Sequence, residues 1–125
     1  MGNVTKRKHA AASMSSDTLV GAPIARLYGA LAVQRQSKVP NARTQKLLAS
    51  GLAKMSQKLV EEAAEVAIDA VRQRSDGVVS ESADLIYHLV VLWYALGIDP
   101  GEIWSEMSRR EQLFGLAEKL PKSRP

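Results

Sequence analysis

Cysteine is absent from this 125-residue chain, which excludes a disulfide scaffold, a thiolate zinc site, a Cys nucleophile and an iron–sulfur cluster. Histidine is nearly absent. With only two, His9 and His88, a multi-histidine zinc centre has too few ligands. Long apolar runs are missing too: the longest uncharged one, residues 85–98, is 14 residues, short of the roughly 20 that a bilayer needs. The basic Lys6-Arg7-Lys8 is followed by small and polar residues rather than a secretory apolar stretch. The sequence therefore reads as a soluble cytoplasmic protein with no membrane contact.

What remains is ordinary for a globular domain, 46% apolar and 24% charged, and the length suits one domain. The net charge of +4 hides an asymmetry. Residues 1–60 carry ten Lys/Arg and one acid, whereas residues 61–125 carry seven Lys/Arg and twelve acids. A basic half can meet nucleic acid. A basic and an acidic half can also surround a phosphorylated ligand with its metal, cations on the phosphates and carboxylates on the ion. The positions of the acids favour the second reading.

Residues 1–16 have no apolar period and read as a mobile basic tail; residues 121–125 read as a second tail. The domain between them, 17–120, opens with Asp17 as a helix cap and with Ile24, Leu27, Tyr28 and Leu31 at helical spacing. Pro40 breaks that helix within 37–41, and Asn41 can cap the next. Leu48, Leu52, Met55, Leu59, Ala63, Val66 and Ala70 form one amphipathic stripe, with Gly51 marking a kink or short break. Residues 74–77 read as a turn, and a helix from Val78 to Leu96 ends at Gly97. Asp99, Pro100 and Glu102 give a three-part helix start, for a helix expected to bury Ile103, Met107 and Phe114. Trp93 and Trp104 are expected in the core or an interface. No segment reads as a strand, so the expected fold is all-α, a bundle of four or five helices.

Four acids stand out. Glu62 and Glu65 are three apart on one helix, and Glu81 and Asp84 repeat that spacing on the next. The pairs Glu62/Asp84 and Glu65/Glu81 are both symmetric about residue 73, close to the expected turn, so all four carboxylates can converge. Two carboxylates about 5 Å apart repel by roughly 3 kcal/mol at an effective dielectric near 20. Solvent, basic partners, protonation or a divalent cation must relieve this. Among ions, an all-oxygen cluster selects Mg²⁺ or Mn²⁺ over zinc. The plain alternative is a solvated acidic face. A ferritin-like di-iron site would need Glu-x-x-His, which does not occur.

Weaker signals surround the acids. Lys58, one turn before Glu62, is placed to hold a phosphate or to form a helix salt bridge. Lys46 and Lys54 are similar, with simple exposure as the alternative. His88, four residues after Asp84, either orients a ligand or is a hydrogen-bonded core histidine. Glu61, on an adjacent face, either activates water or faces solvent.

The segments Lys58-Leu59-Val60-Glu61-Glu62-Ala63-Ala64-Glu65 and Glu81-Ser82-Ala83-Asp84-Leu85-Ile86-Tyr87-His88-Leu89 resemble the phosphoribosyl-ATP pyrophosphohydrolases. These belong to the MazG-like all-α nucleotide pyrophosphohydrolases, marked by Glu-Glu-x-x-Glu and then Glu-x-x-Asp. The resemblance extends over about residues 16–122 and includes the Thr44 to Gly51 segment. It implies Mg²⁺-dependent hydrolysis of the α–β phosphoanhydride of phosphoribosyl-ATP, a step of histidine biosynthesis that yields phosphoribosyl-AMP and pyrophosphate. Glu62, Glu65, Glu81 and Asp84 would then be the metal ligands. Glu61 or one of the ligands would assist the water, Lys58 with Lys54 or Lys46 would stabilise the leaving pyrophosphate, and the bundle would be completed by homodimerisation. Val60 stands where the family often has Gly, and Ala42-Arg43 where it often has Ser-Tyr. These departures bear on the substrate and leave open hydrolysis of another nucleoside triphosphate. A non-catalytic helical interaction module is the reading from a different class.

Overall fold

The computed structural model describes residues 16–36 and 42–114. Among them are five helices and no strand: α1 (Ser16–Gln36), α2 (Ala42–Ala49), α3 (Leu52–Val71), α4 (Ser75–Leu96) and α5 (Pro100–Phe114). The all-α expectation agrees with this. The expected basic tail before Ser16, the 37–41 break with its Asn41 cap, the Phe114 side chain and residues 115–125 lie outside what is described, whereas Asp17, expected as the cap of the first helix, already lies within α1 because helical backbone includes Ser16.

The antiparallel α3–α4 hairpin is the largest helix–helix contact; α1 packs across α4, α5 rests on α1, and α2 bridges α1 and α3. Apolar side chains occupy most sides of the second half of α4, which suits a central helix. Val90 and Val91 are fully buried there, and with Leu31 of α1, Met55 of α3 and Trp93 they form the core. Trp104 meets Trp93 edge-on at 6.3 Å, an arrangement that matches ring edge to ring face.

Of the two alternatives at Gly51, the short break is the one found: with φ 89° it separates α2 from α3, and the stripe from Leu48 to Ala70 spans both. The boundary between α3 and α4 differs from the sequence reading. The turn lies at Arg72–Arg74, not at 74–77, because Ser75, Asp76 and Gly77 already form the first turn of α4. Its bend is made by Gln73 at φ 58°, the residue about which the two acidic pairs are symmetric. Gly77 looks like a turn residue in the sequence, yet a Cβ there would come within 2.5 Å of the Asp69 carboxylate. Close helix–helix approach explains this glycine.

The start of α5 follows its sequence signal. Asp99 Oδ1 accepts from the Gly101 amide at 2.7 Å, and Glu102 Oε2 accepts from the Asp99 amide at 2.9 Å, the reciprocal bonds of a capping box. Ile103 packs on the core, whereas Met107 is exposed against expectation. α5 crosses the bundle near its own N-terminus and then leaves it.

Candidate metal and phosphate site

The hairpin carries the acids. Helical spacing sets Glu62 on the inner flank of α3, and Glu81 and Asp84 on the flank of α4 that meets it. One carboxylate oxygen from each of these three lies within 4.8 Å of the others, all half-buried. Glu65, more exposed, stands beside Glu81. Hydrogen bonding to Glu65 and then to Glu62 pushes the Glu81 carboxyl up to about 7. A proton at Glu81 thus relieves the mutual repulsion of the cluster.

His88 lies deeper, one helical turn beyond Asp84. It is buried, its Nε2 is 3.9 Å from Glu62 Oε1, and its Nδ1 makes no hydrogen bond. Burial, the main cause, lowers its pKa and favours the neutral ring, although Glu62 pulls the other way. Glu62 Oε2 is likewise buried without a hydrogen-bond partner. Buried acceptors without a partner cost free energy, and a hard cation at the carboxylate trio would satisfy Glu62. The oxygen-only donors, their spacing and this orphaned oxygen fit Mg²⁺ or Mn²⁺.

Next to the cluster opens a cavity of about 440 Å³ lined by Arg43, Lys46, Leu47, Ser50, Lys54, Lys58, Glu62 and His88. Its walls come from both sides of the Gly51 break: Arg43 and Lys46 from α2, Lys54 and Lys58 from α3. Four cations, with Glu62 of the carboxylate trio in the same lining, suit a polyanion whose charge is shared with a metal ion. Lys58 also approaches Glu61 at 3.8 Å across solvent-exposed side chains, a contact that contributes little. Glu61 accepts from Gln57 Nε2 at 3.0 Å on the exposed side of α3, away from the cavity lining.

Of the residues singled out in the sequence, the structure brings together Glu62, Glu81 and Asp84, with Glu65 beside Glu81. It places Lys46, Lys54, Lys58 and His88 on the adjoining cavity, and Glu61 outside it. Arg43 was missed. Its signal was the run Arg43, Lys46, Ser50, which falls on one helical face once α2 is known to begin before Thr44.

A family model described as phosphoribosyl-ATP pyrophosphohydrolase matches residues 25–111, a span that contains the whole carboxylate cluster and the cavity. The chain belongs to the phosphoribosyl-ATP pyrophosphohydrolase family. Phosphoribosyl-ATP pyrophosphatase 2 of Rhodopseudomonas palustris is 52% identical over 99 residues, covering 79% of this chain and 76% of that protein. Its namesake from Bradyrhizobium diazoefficiens is 52% identical over 98 residues, 78% of this chain and 73% of that one. Phosphoribosyl-ATP pyrophosphatase of Azospirillum brasilense is 41% identical over 106 residues, 85% and 96% of the two chains. Among phosphoribosyl-ATP pyrophosphohydrolases, then, this chain has an acidic hairpin flanked by a basic, water-accessible cavity.

Proposed function

We propose that the protein hydrolyses the α–β phosphoanhydride of phosphoribosyl-ATP, releasing pyrophosphate and phosphoribosyl-AMP in the cytoplasm, as a step of histidine biosynthesis. The observation that carries this reading is a carboxylate trio of which Glu62 also lines a cavity with four cations. Glu62, Glu81 and Asp84, joined by Glu65, would hold Mg²⁺, with Mn²⁺ as a substitute. When bound, such an ion polarises the phosphoryl oxygens and offsets the charge that develops on them.

The chain's own groups do the rest. Lys46, Lys54 and Lys58 bind the triphosphate and stabilise the leaving pyrophosphate, whose negative charge grows as the anhydride breaks. His88, which lines the cavity, orients substrate. Water for the attack is activated by a carboxylate, either Glu61 or one of the cluster; Glu61 lies on the solvent side of α3, so the role requires it to leave Gln57. Exposed Val60, Ile68 and Val71 on α3 and Val79 and Ile86 on α4 favour assembly of the hairpin against a second copy, which would also wall the open side of the site.

Incubation with phosphoribosyl-ATP and Mg²⁺ should release pyrophosphate, and EDTA should stop it. Glu62→Ala and Asp84→Ala should each lower kcat/KM by at least about 100-fold while the helical circular dichroism signal persists. Unchanged turnover in both variants would reject the site. Faster turnover of a deoxynucleoside triphosphate than of phosphoribosyl-ATP would replace the substrate. Salt-sensitive binding to RNA or DNA without pyrophosphate release would point to the interaction module instead.

A further inference from the structure

Tyr87 sits at the join between α2 and α4 and makes three contacts there. Its hydroxyl is 2.9 Å from the Oγ1 of Thr44, a buried residue on α2. The Arg43 guanidinium lies over its ring, 5.4 Å from the centroid. The ring also meets His88 edge-on at 5.2 Å. Among the described residues Arg43 forms no ion pair, yet it lines the cavity beside Lys46.

We propose that Tyr87 is a positioning residue that seats Arg43 at the cavity as a binding cation for the polyphosphate chain; this rests on the cavity taking the triphosphate, as read above. Two physical points support it. An eight-residue helix such as α2 does not hold its place by its own hydrogen bonds, so its position is set by its anchors. Leu47 and Leu48 anchor it on the core, and Thr44 anchors it to Tyr87. Moreover, a solvent-exposed arginine has many rotamers. One resting on an aromatic face has fewer, and its N–H donors lie in the guanidinium plane, where they suit phosphate oxygens. Tyr87 thus couples the helix of Glu81 and Asp84 to the basic rim: it is three residues from Asp84 on α4 and in contact with Arg43, the first cation of α2.

The test is calorimetric titration of inorganic pyrophosphate into the full-length chain in EDTA, alongside phosphoribosyl-ATP kinetics with Mg²⁺. Arg43→Ala should weaken pyrophosphate binding about tenfold. Tyr87→Leu should weaken it about three- to tenfold, and should cost clearly less in the Arg43→Ala background than in the wild type, since much of its effect runs through Arg43. Tyr87→Phe keeps the ring and its contact with Arg43 and guards against misfolding; its loss should be smaller than that of Tyr87→Leu. In the kinetics these variants should raise KM by more than they lower kcat. Failure of the wild type to bind pyrophosphate, unaltered binding in Arg43→Ala, or an additive penalty for Tyr87→Leu would each overturn the proposal. Wild-type chain that binds pyrophosphate with this dependence but leaves phosphoribosyl-ATP intact would overturn only the assigned reaction.

Discussion

Two glutamates show how neighbours set carboxylate chemistry. Glu106 accepts from Arg109 at 2.7 and 3.0 Å and from Arg110 at 2.9 Å, and those bonds, Arg109's foremost, hold it at about 2. Glu81, whose neighbours are Glu65 and Glu62, is pushed up to about 7. An acid with a folded pKa above its unfolded value binds more protons when folded, so stability falls as pH rises from about 4.5 through 7. The melting temperature in EDTA should therefore decline between about pH 5 and about pH 8. Glu81→Gln should flatten that decline, and Mg²⁺ should reverse it, because the ion takes the place of the proton. Calorimetry in buffers of different ionisation enthalpy should detect proton release on Mg²⁺ binding near pH 6 and little near pH 8. The i,i+3 spacing made the acids visible in the sequence. Which of them shares a proton was not visible, since it depends on oxygen–oxygen distances across the hairpin.

At the scale of elements, the glycines separate into roles that composition does not distinguish. Gly51, at φ 89° and ψ 165°, occupies backbone space that side chains strongly disfavour. Gly51→Ala should cost about 1–3 kcal/mol and, by tilting α2 against α3, should raise KM as well as lower the melting temperature. Gly29 in α1 is exposed, and a Cβ there would meet nothing within 4 Å. Gly29→Ala should therefore stabilise by about 0.5–1 kcal/mol, measurable by urea denaturation. The Asp99–Glu102 capping box was legible because its bonds are local. The α3–α4 turn was misplaced by two residues because Asp76-Gly77 carries the composition of a turn, while the demand for glycine at 77 comes from Asp69 on the other helix.

For the molecule as a whole, the charge asymmetry becomes spatial: cations from the first half rim the cavity, and Glu62 from the second half lines it and joins it to Glu81 and Asp84. The exposed apolar residues belong to this scale too. Val60, Ile68 and Val71 recur at spacings of eight and three along α3, with Val71 84% exposed, a stripe turned away from the core-facing Met55 and Leu59. Sedimentation velocity should show a dimer for the wild type, and Val60→Asp combined with Ile68→Asp should shift it to monomer. Because the wall over the site would be lost with it, the same double variant should lose turnover. A monomeric wild type would remove the homodimer from the reading.

From the sequence alone came the helical class, the capping of α5, the end of α4 at Gly97, and the matched acidic pairs. All of these follow from interactions within a few residues or from a single helical period. Only the tertiary structure decided that Glu62, Glu81 and Asp84 form the tight trio, that Glu65 stands at its margin, and that Arg43 joins the basic rim across the Gly51 break. Those outcomes depend on how far apart and at what rotation separate helices come to rest, and helix–helix distance and rotation are set by packing against a shared core, which no local pattern encodes.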